Sequence, residues 1–299
     1  MNIEKGKGVF FHPPISVVDT EDPDLERPTE SKTRKVRFTY IPRGSSIEII
    51  VTKDGFIGPI MIGNDDEILE FINILIATAM SKGQRALFAS EHDLCSFSYD
   101  RTTQIISIGS SEVFSLRNRF EFERDHDTTY GLWRQTPRDK VSMKEIPGVW
   151  FDTAYNFYKD PELKTYVLLL GEAWGLSYEG MHKAAFLYSW MIIETTVENY
   201  LEHHIDSLSL SSLEKKVFKD NASKTTFQRI GILKKLSKID DTTYNSLEKL
   251  RQIRNSVTHE ITTQISSDDT HNCMHVANEI IYNKFNQLSS PFVEIKLIK

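Results

Sequence analysis

The stretch LEKLRQIRNSVTHEI, Leu247 to Ile261, contains two side chains whose chemistry could be combined. Arg254 carries a planar guanidinium whose fixed fork of donors matches the oxygens of a phosphate or a carboxylate. His259 follows five residues later. Histidine as a residue type can accept or donate a proton near neutral pH. An anion-binding cation and a proton-transfer group therefore occur within one short segment.

Arg254 falls on the side of its predicted helix where apolar residues are expected. With each residue advancing by about 100 degrees and Leu247 set at zero, Leu250, Ile253 and Val257 fall at roughly 240 to 300 degrees. Arg254 falls at about 340 degrees on the same wheel. Its guanidinium is thus directed to the interior of a helical bundle or to a subunit interface. The alternative is that its aliphatic stem packs while the charged head reaches water.

A second charge lies in an apolar face, on the helix predicted around Met181 to His204. That face is defined by Phe186, Trp190, Ile193, Val197 and Tyr200. Glu194 falls beside Trp190 on the same helix. Because a buried carboxylate is costly unless a cation or several donors pair with it, we expect Glu194 to meet Arg254, directly or through one neighbour. The alternative is a solvated Glu194 at the rim of the bundle.

Arg254 and His259 do not face the same point of a regular helix. Five residues rotate a side chain by about 500 degrees, which leaves it about 140 degrees away and about 7.5 Å further along the axis. The two side chains meet only if the helix breaks between them or if two copies of the chain combine their motifs. Asn255 and Thr258 are weak helix formers, which makes a break or a cap reasonable here.

The elements around these residues predict an α+β protein of two domains. Residues 1–150 are predicted to form a mainly antiparallel β domain with at least one helix, DDEILEFINILIATAMSKG. Its predicted strands, separated by turn signals, are VRFTYI, SIEIIVT, RALFAS, CSFSYD, QIISIG and FEFER. Residues 160–299 are predicted to form an all-α bundle, because apolar residues recur at helical spacing after Ser, Thr or Asp starts.

Composition narrows the classes of function and of partner. The formal net charge of -6 excludes attraction of nucleic acid by bulk charge, so a nucleic-acid partner needs a local site. Cys95 and Cys273 are too few for a disulfide framework, and we expect a cytoplasmic protein with no membrane segment. His271, Cys273 and His275 form H-x-C-x-H without a second ligand pair nearby, so we expect neither a metal nor another cofactor.

The segment RNSVTH, Arg254 to His259, resembles the R-x4-6-H motif of HEPN domains, the helical domains of many prokaryotic toxin, anti-phage and CRISPR-associated ribonucleases. The longer context LEKLRQIRNSVTHE is similar to the corresponding helix of the Apea-like and related HEPN groups. FLYSWMIIETTVENYL resembles the preceding long helix, which carries a glutamate in that family. The resemblance covers about residues 160 to 288. It implies a HEPN helical bundle that dimerises, with the two motifs forming one composite site.

The resemblance also implies roles for individual residues. His259 would act as general acid or base, and Arg254 would bind the scissile phosphate. Asn255 would position one of these two side chains or touch RNA, and Glu194 would orient Arg254. Arg251, one turn before Arg254, is a candidate second phosphate contact, and the alternative for it is an ordinary exposed arginine.

The expected function is a metal-independent endoribonuclease that cuts single-stranded or loop RNA. Its products would carry 2′,3′-cyclic phosphate and 5′-hydroxyl ends. The protein would be a toxin or an anti-phage effector, with the N-terminal domain binding a trigger or an inhibitor. Two alternatives stay open: a non-catalytic HEPN module that binds RNA or only dimerises, and an antitoxin-like protein whose bundle binds a partner protein.

Overall fold

The computed structural model describes residues 3–12, 15–18, 33–52, 55–61, 63–109, 139–142, 150–222, 225–259, 264–287, 290–292, 295 and 297. The chain divides into two compact units, residues 1–161 and residues 162–299. The first unit contains a β barrel and the second contains only helices among its described elements. In the described part of the chain, no helix is both long enough and apolar enough to cross a bilayer.

The strands of the first unit form a closed antiparallel barrel and one small parallel sheet. Around the barrel the order is β1-β5-β4-β3-β7-β6, and β6 pairs with β1 to close it. Closure satisfies the backbone of every barrel strand on both sides. β2 and β8 pair separately. The strands are β1 (Ile3–Phe10), β2 (Ile15–Val18), β3 (Thr33–Tyr40), β4 (Glu48–Thr52), β5 (Phe56–Ile60), β6 (Cys95–Asp100), β7 (Ile105–Ile108) and β8 (Asp139–Ser142).

Helices flank the barrel and make up the second unit. The first unit contains α1 (Asp65–Ser81) and α2 (Asp152–Lys159), and α1 packs against β1, β5 and α2. The helices of the second unit are α3 (Pro161–Tyr178), α4 (His182–Ser207), α5 (Ser212–Ala222), α6 (Thr226–Lys235), α7 (Asp241–His259) and α8 (Ser267–Phe285). In this unit α4 packs most extensively against α8, and α6 packs against both α4 and α7. The predicted α+β class is therefore confirmed.

Aromatic rings fill the interior of the barrel. Phe10 and Phe56 meet edge to face at 5.1 Å, and Phe56 meets Phe97 at 5.6 Å between ring centroids. All three rings are buried. Glycines in β1 make room for them, since a Cβ at Gly6 would lie 2.7 Å from the Phe97 ring and one at Gly8 would lie 2.6 Å from the Phe56 ring. The sequence thus combines small and large residues so that a narrow barrel closes around its own side chains.

Most predicted elements of the first unit are confirmed. β3, β4, β6 and β7 lie within VRFTYI, SIEIIVT, CSFSYD and QIISIG or overlap them. The predicted helix is α1, whose cap is Asn64. The Asn64 side chain accepts a hydrogen bond from the Glu67 backbone N–H at 2.9 Å, and the Glu67 carboxylate accepts one from the Asn64 backbone N–H at 3.1 Å. Gly83, with φ of +88°, follows the end of the helix.

Two of the predicted strands are not among the confirmed elements. The segment RALFAS, residues 85–90, is not a strand. Its backbone is satisfied elsewhere: the Asn73 side chain bonds both the N–H and the C=O of Ala89, at 2.8 and 3.0 Å, and the Leu87 N–H donates to the His12 C=O at 2.8 Å. The segment FEFER, residues 120–124, lies outside the described residues.

The predicted helices of the second unit are confirmed, and a carboxylate helps to hold three of them together. Glu162 at the start of α3 accepts hydrogen bonds from Tyr166 at 2.9 Å and from Asn199 of α4 at 3.3 Å, and it pairs with Lys284 of α8 at 2.5 Å. Burial raises the pKa of Glu162, but these hydrogen bonds outweigh it and the net shift is downward.

Candidate functional site

The helix that carries the motif is regular and its buried face is the predicted one. α7 runs without interruption from Asp241 to His259, and the Asp240 side chain accepts from the Thr243 N–H at 2.7 Å at its start. Its buried residues are Thr243, Ser246, Leu247, Leu250 and Val257. Leu247, Leu250 and Val257 of the expected apolar stripe are therefore confirmed as buried, and Ile253 is only partly buried.

Arg254 is half-buried at the edge of that face. Among the described residues it makes one hydrogen bond, from its Nη1 to the Asn255 Oδ1 at 3.4 Å, and no ion pair. A bond of that length is weak, so the guanidinium keeps most of its donors for another acceptor. Asn255 is the neighbour that the motif predicted beside Arg254, and its amide oxygen does touch the guanidinium.

His259 is the last residue of α7 and is exposed. The Thr258 hydroxyl donates to the carbonyls of Arg254 and Asn255, at 3.0 and 3.1 Å, and so stays within the helical pattern. A helix break between Arg254 and His259, one of the two arrangements considered, is therefore wrong. On a regular helix their side chains diverge by about 140 degrees, so within one chain they do not converge on one ligand.

Glu194 does not pair directly with Arg254. The Glu194 carboxylate is half-buried and accepts a short hydrogen bond from the hydroxyl of Thr226, the first residue of α6. No ion pair joins it to Arg254 within the described chain. The physical reason is the position of α6, which packs against both α4 and α7 and offers the nearer donor. The expected direct pair is therefore wrong, and Glu194 is instead a partly exposed carboxylate with Thr226 as a hydrogen-bond donor.

Arg229 of α6, which the sequence did not single out, pairs with a different carboxylate of α4. Its Nη2 lies 2.5 Å from Oε1 of Glu198, one turn after Glu194. The Arg229 side chain is 16% exposed, and its Nε is buried without a hydrogen-bond partner among the described residues. Because the Glu198 side chain is 40% exposed, water screens the pair, and its contribution to stability is about 1 kcal/mol or less. α6 is thus tied to α4 through two successive turns.

Arg251 is mostly buried and is paired with a neighbouring carboxylate. Its Nε and Nη2 donate to the two oxygens of Glu248 at 2.7 and 2.6 Å. The Arg251 hydrogen bonds lower the pKa of the Glu248 carboxyl, and the same pair raises the pKa of the guanidinium. The guanidinium also lies over the ring of Phe227 in α6, 4.9 Å from its centroid. The alternative of an ordinary exposed arginine is therefore wrong, and the candidate phosphate contact is a bidentate partner of Glu248.

Some of these residues leave a signal in the sequence and others leave none. Glu248 and Arg251 are three apart on one helix, a spacing at which opposite charges meet. Thr225 begins α6 with a capping box to Gln228, so the start of that helix could also be read. Nothing local predicts that Thr226, Phe227 and Arg229 face α4 and α7, because those contacts join residues that are distant in the sequence.

The H-x-C-x-H segment lies in α8, where its cysteine and its first histidine contact neighbouring helices. Cys273 is buried, its thiol faces the Phe186 carbonyl at 3.7 Å, and burial raises the pKa of the thiol well above its usual value. The exposed His271 lies beside the Trp174 ring, with 6.1 Å between the ring centroids. Within the described residues, no three His, Cys, Asp or Glu side chains are grouped so as to hold a metal ion.

No family model, no curated protein and no solved structure matches this chain. The resemblance carried by RNSVTH is therefore one of motif and context, without support from a relative. The function has to be argued from the geometry of α4, α6 and α7.

Proposed function

We propose that the protein is a metal-independent endoribonuclease of the HEPN type, active as a homodimer and used as a toxin or an anti-phage effector. Single-stranded or loop RNA is the substrate, because only unpaired nucleotides let the 2′-hydroxyl swing into line with the leaving oxygen. The cut ends carry a 2′,3′-cyclic phosphate and a 5′-hydroxyl.

The observation that carries the proposal is the arrangement of Arg254 and His259 on one unbroken helix. Arg254 is half-buried with free donors, and His259 is exposed at the helix end, on a different side. One chain therefore offers an anion site and a proton-transfer group that it does not bring together. Two copies related by a two-fold axis can do so, because the arginine of one then faces the histidine of the other.

The chemistry requires only these residue types. A base removes the proton of the 2′-hydroxyl, whose oxygen attacks the phosphorus as the bond to the 5′-oxygen breaks. An acid returns a proton to the leaving 5′-oxygen, so that the proton count balances. Histidine serves as base or acid near neutral pH, and arginine stabilises the charge on the phosphorane oxygens. In the proposal His259 moves protons, Arg254 binds the phosphate and Asn255 holds the guanidinium.

The supporting roles differ from those first expected. Glu194 contributes by holding α6 against α4 through Thr226, and so shapes the surface beside Arg254 rather than orienting that side chain. Arg251 uses two of its donors on Glu248, so Arg254 is the main phosphate contact from α7 in the proposal.

The direct test is cleavage of end-labelled structured and unstructured RNAs in excess EDTA, followed by analysis of the end groups. Wild type should give cyclic-phosphate fragments, whereas His259→Ala and Arg254→Ala should each give none. Mixing the two inactive variants should restore cleavage, because a mixed dimer has one intact arginine and one intact histidine on different copies. Cleavage by wild type with no recovery in the mixture would contradict the composite site.

The test in cells concerns the biological role and the part played by the barrel unit. Wild type should arrest growth on expression and His259→Ala should not. RNA binding without cleavage under any condition would favour the non-catalytic module. Solubility that depends on a partner protein, with no affinity for RNA, would favour the antitoxin-like alternative. Cleavage that begins only when cell extract from infected bacteria is added would support a trigger bound by the barrel unit.

A further inference from the structure

Phe227, in the first turn of α6, is a large aromatic side chain that the protein leaves at its surface. Its side chain is 50% exposed, whereas the barrel rings of Phe10, Phe56 and Phe97 are almost completely buried. An exposed apolar residue is ordinary by itself. The unusual feature of Phe227 is the cation fixed over its ring.

The Arg251 guanidinium lies 4.9 Å from the centroid of the Phe227 ring. Two hydrogen bonds to Glu248, at 2.6 and 2.7 Å, hold that guanidinium, and the Arg251 side chain is only 18% exposed. The guanidinium that lies over the ring is therefore held in position by Glu248. The ring has solvent on its remaining surface, so it can accept a second flat group there.

Arg254 lies one turn further along α7 from Arg251, about 60 degrees away around the helix. Its donors are largely free, as described above. Arg251, which contacts the exposed ring of Phe227, is thus one helical turn from the available guanidinium of Arg254. Single-stranded nucleic acid is bound by this combination, in which a base stacks on an aromatic ring and a cation holds the neighbouring phosphate.

We propose that Phe227 is a stacking platform for a base of single-stranded RNA, next to the phosphate held by Arg254. Arg251 is a positioning residue in this arrangement: it backs the ring and does not contact phosphate. The inference rests on the proposed ribonuclease function and names a binding subsite for its substrate. It also gives a physical reason for a preference for unpaired RNA, since a base in a duplex has no free face to offer.

A base suits this surface better than a second copy of the chain. Charged side chains lie on all three helices that meet here: Glu194 and Glu198 on α4, Arg229 on α6, and Glu248 and Arg251 on α7. The centres of protein interfaces are depleted of charged residues other than arginine.

The experiment measures binding in full-length His259→Ala, so that cleavage does not consume the probe. Fluorescence anisotropy compares a labelled oligouridylate with an abasic ribose-phosphate chain of equal length. Phe227→Ala should weaken oligouridylate binding by about 5- to 150-fold, the range found for loss of one stacked base. Binding of the abasic chain should not change, and Phe227→Tyr should bind both chains as the parent does.

Leu236→Ala is the matched control, because Leu236 is a partly exposed apolar residue at the other end of α6. It should leave the affinity for both chains unchanged. Circular dichroism and sedimentation accompany each variant, and Phe227→Leu provides a second substitution that keeps apolar bulk but lacks a ring. Phe227→Leu should behave as Phe227→Ala does.

Three results would overturn the proposal. Equal affinity of the parent and Phe227→Ala for oligouridylate would exclude stacking, even if wild type cleaves RNA. Equal losses for the oligouridylate and the abasic chain would show that the substitution acts on charge or fold. A change from dimer to monomer would assign the ring to a contact between copies. Conversely, ring-dependent binding by a chain that never cleaves RNA would support the subsite and reject the ribonuclease.

Discussion

Arg101 in the barrel and Arg254 in the helical unit are used differently. Arg101 lies between two carboxylates, with its Nη2 2.9 Å from Glu4 Oε2 and its guanidinium paired with Glu48. Arg254 has an amide oxygen at 3.4 Å and no carboxylate among the described residues. The barrel arginine is thus neutralised where it lies, whereas no carboxylate of the described residues neutralises the helix arginine. A partly buried charge without an opposite charge beside it is a better sign of a functional residue than the presence of a charge alone.

The aromatic residues give the same contrast. The rings of the barrel meet one another edge to face and close its interior, which is a structural use. Phe227 meets one guanidinium and solvent. If this difference separates structural from functional residues, substitutions in the barrel should lower the free energy of unfolding. Substitutions at the candidate site should instead lower RNA cleavage or RNA binding.

His259→Ala should produce the largest effect, and only on activity. Loss of a general acid or base typically lowers a rate by about 10²- to 10⁴-fold. The residue is exposed at a helix end, so the free energy of unfolding should change by no more than about 0.5 kcal/mol. RNA cleavage and urea unfolding check the two statements. A large loss of stability would make His259 structural and remove the contrast with the barrel.

Phe97→Ala should produce the largest effect on stability. The ring is 3% exposed and packs on Phe56 in the barrel, so its removal should cost about 3 to 5 kcal/mol of unfolding free energy. Ile41→Ala is the control, because Ile41 is 55% exposed and should change stability by about 0.5 kcal/mol or less. Urea denaturation measures both. Similar values for the two variants would contradict a packed barrel interior.

Arg251→Met should cost about 1 to 2 kcal/mol at pH 7, because it removes two charge-assisted hydrogen bonds from a mostly buried pair. The pair lowers the pKa of Glu248 in the folded chain, so its stabilisation is complete above the pKa of the unfolded carboxyl. It is lost as the pH falls through the folded pKa. The difference between wild type and variant should therefore be constant near neutral pH and shrink in acid.

That pH series is measured by urea denaturation from neutral to acid conditions. Arg251→Lys is a useful companion, since it keeps the charge but not the bidentate geometry. A difference that stays constant in acid would mean that packing on Phe227, rather than the Glu248 ion pair, accounts for the loss.

Two helix caps should give the smallest effects, one in each unit. Asn64 caps α1 and Ser266 caps α8, where its hydroxyl accepts from the Asp269 N–H at 3.0 Å. Replacing either residue by Ala should lower the free energy of unfolding by about 1 kcal/mol. Calorimetry tests whether the units unfold separately: each substitution should then lower only one of two transitions. A single transition lowered equally by both would show that the two units unfold as one.

Local elements could be predicted from the sequence because their causes are local. α1 follows from acidic residues at its start, apolar residues at helical spacing and Gly83 after its end. The buried face of α7 follows from the spacing of Leu247, Leu250 and Val257. A helix satisfies its backbone within itself, so a short window of sequence contains most of the evidence for it.

The strands were predicted less well because their partners are distant. β1, IEKGKGVF, has no clear alternation, and its glycines are explained only by the rings of Phe56 and Phe97 that face them. β5, FIGPI, contains Pro59, which argues against a strand in isolation. RALFAS looks like a strand, but the side chain of Asn73 takes the backbone groups that a neighbouring strand would need.

For the candidate site, the sequence by itself determined that Arg254 lies on the edge of an apolar face, with Asn255 beside it and His259 turned away. These facts follow from about 100 degrees of rotation per residue in an uninterrupted helix. Only the tertiary structure decided the partners of these side chains. Thr226 donates a hydrogen bond to Glu194, Arg229 pairs with Glu198, and the Arg251 guanidinium lies over the Phe227 ring. The physical reason is that α6 packs against both α4 and α7, and contacts between separate helices depend on how the bundle packs rather than on spacing along the chain.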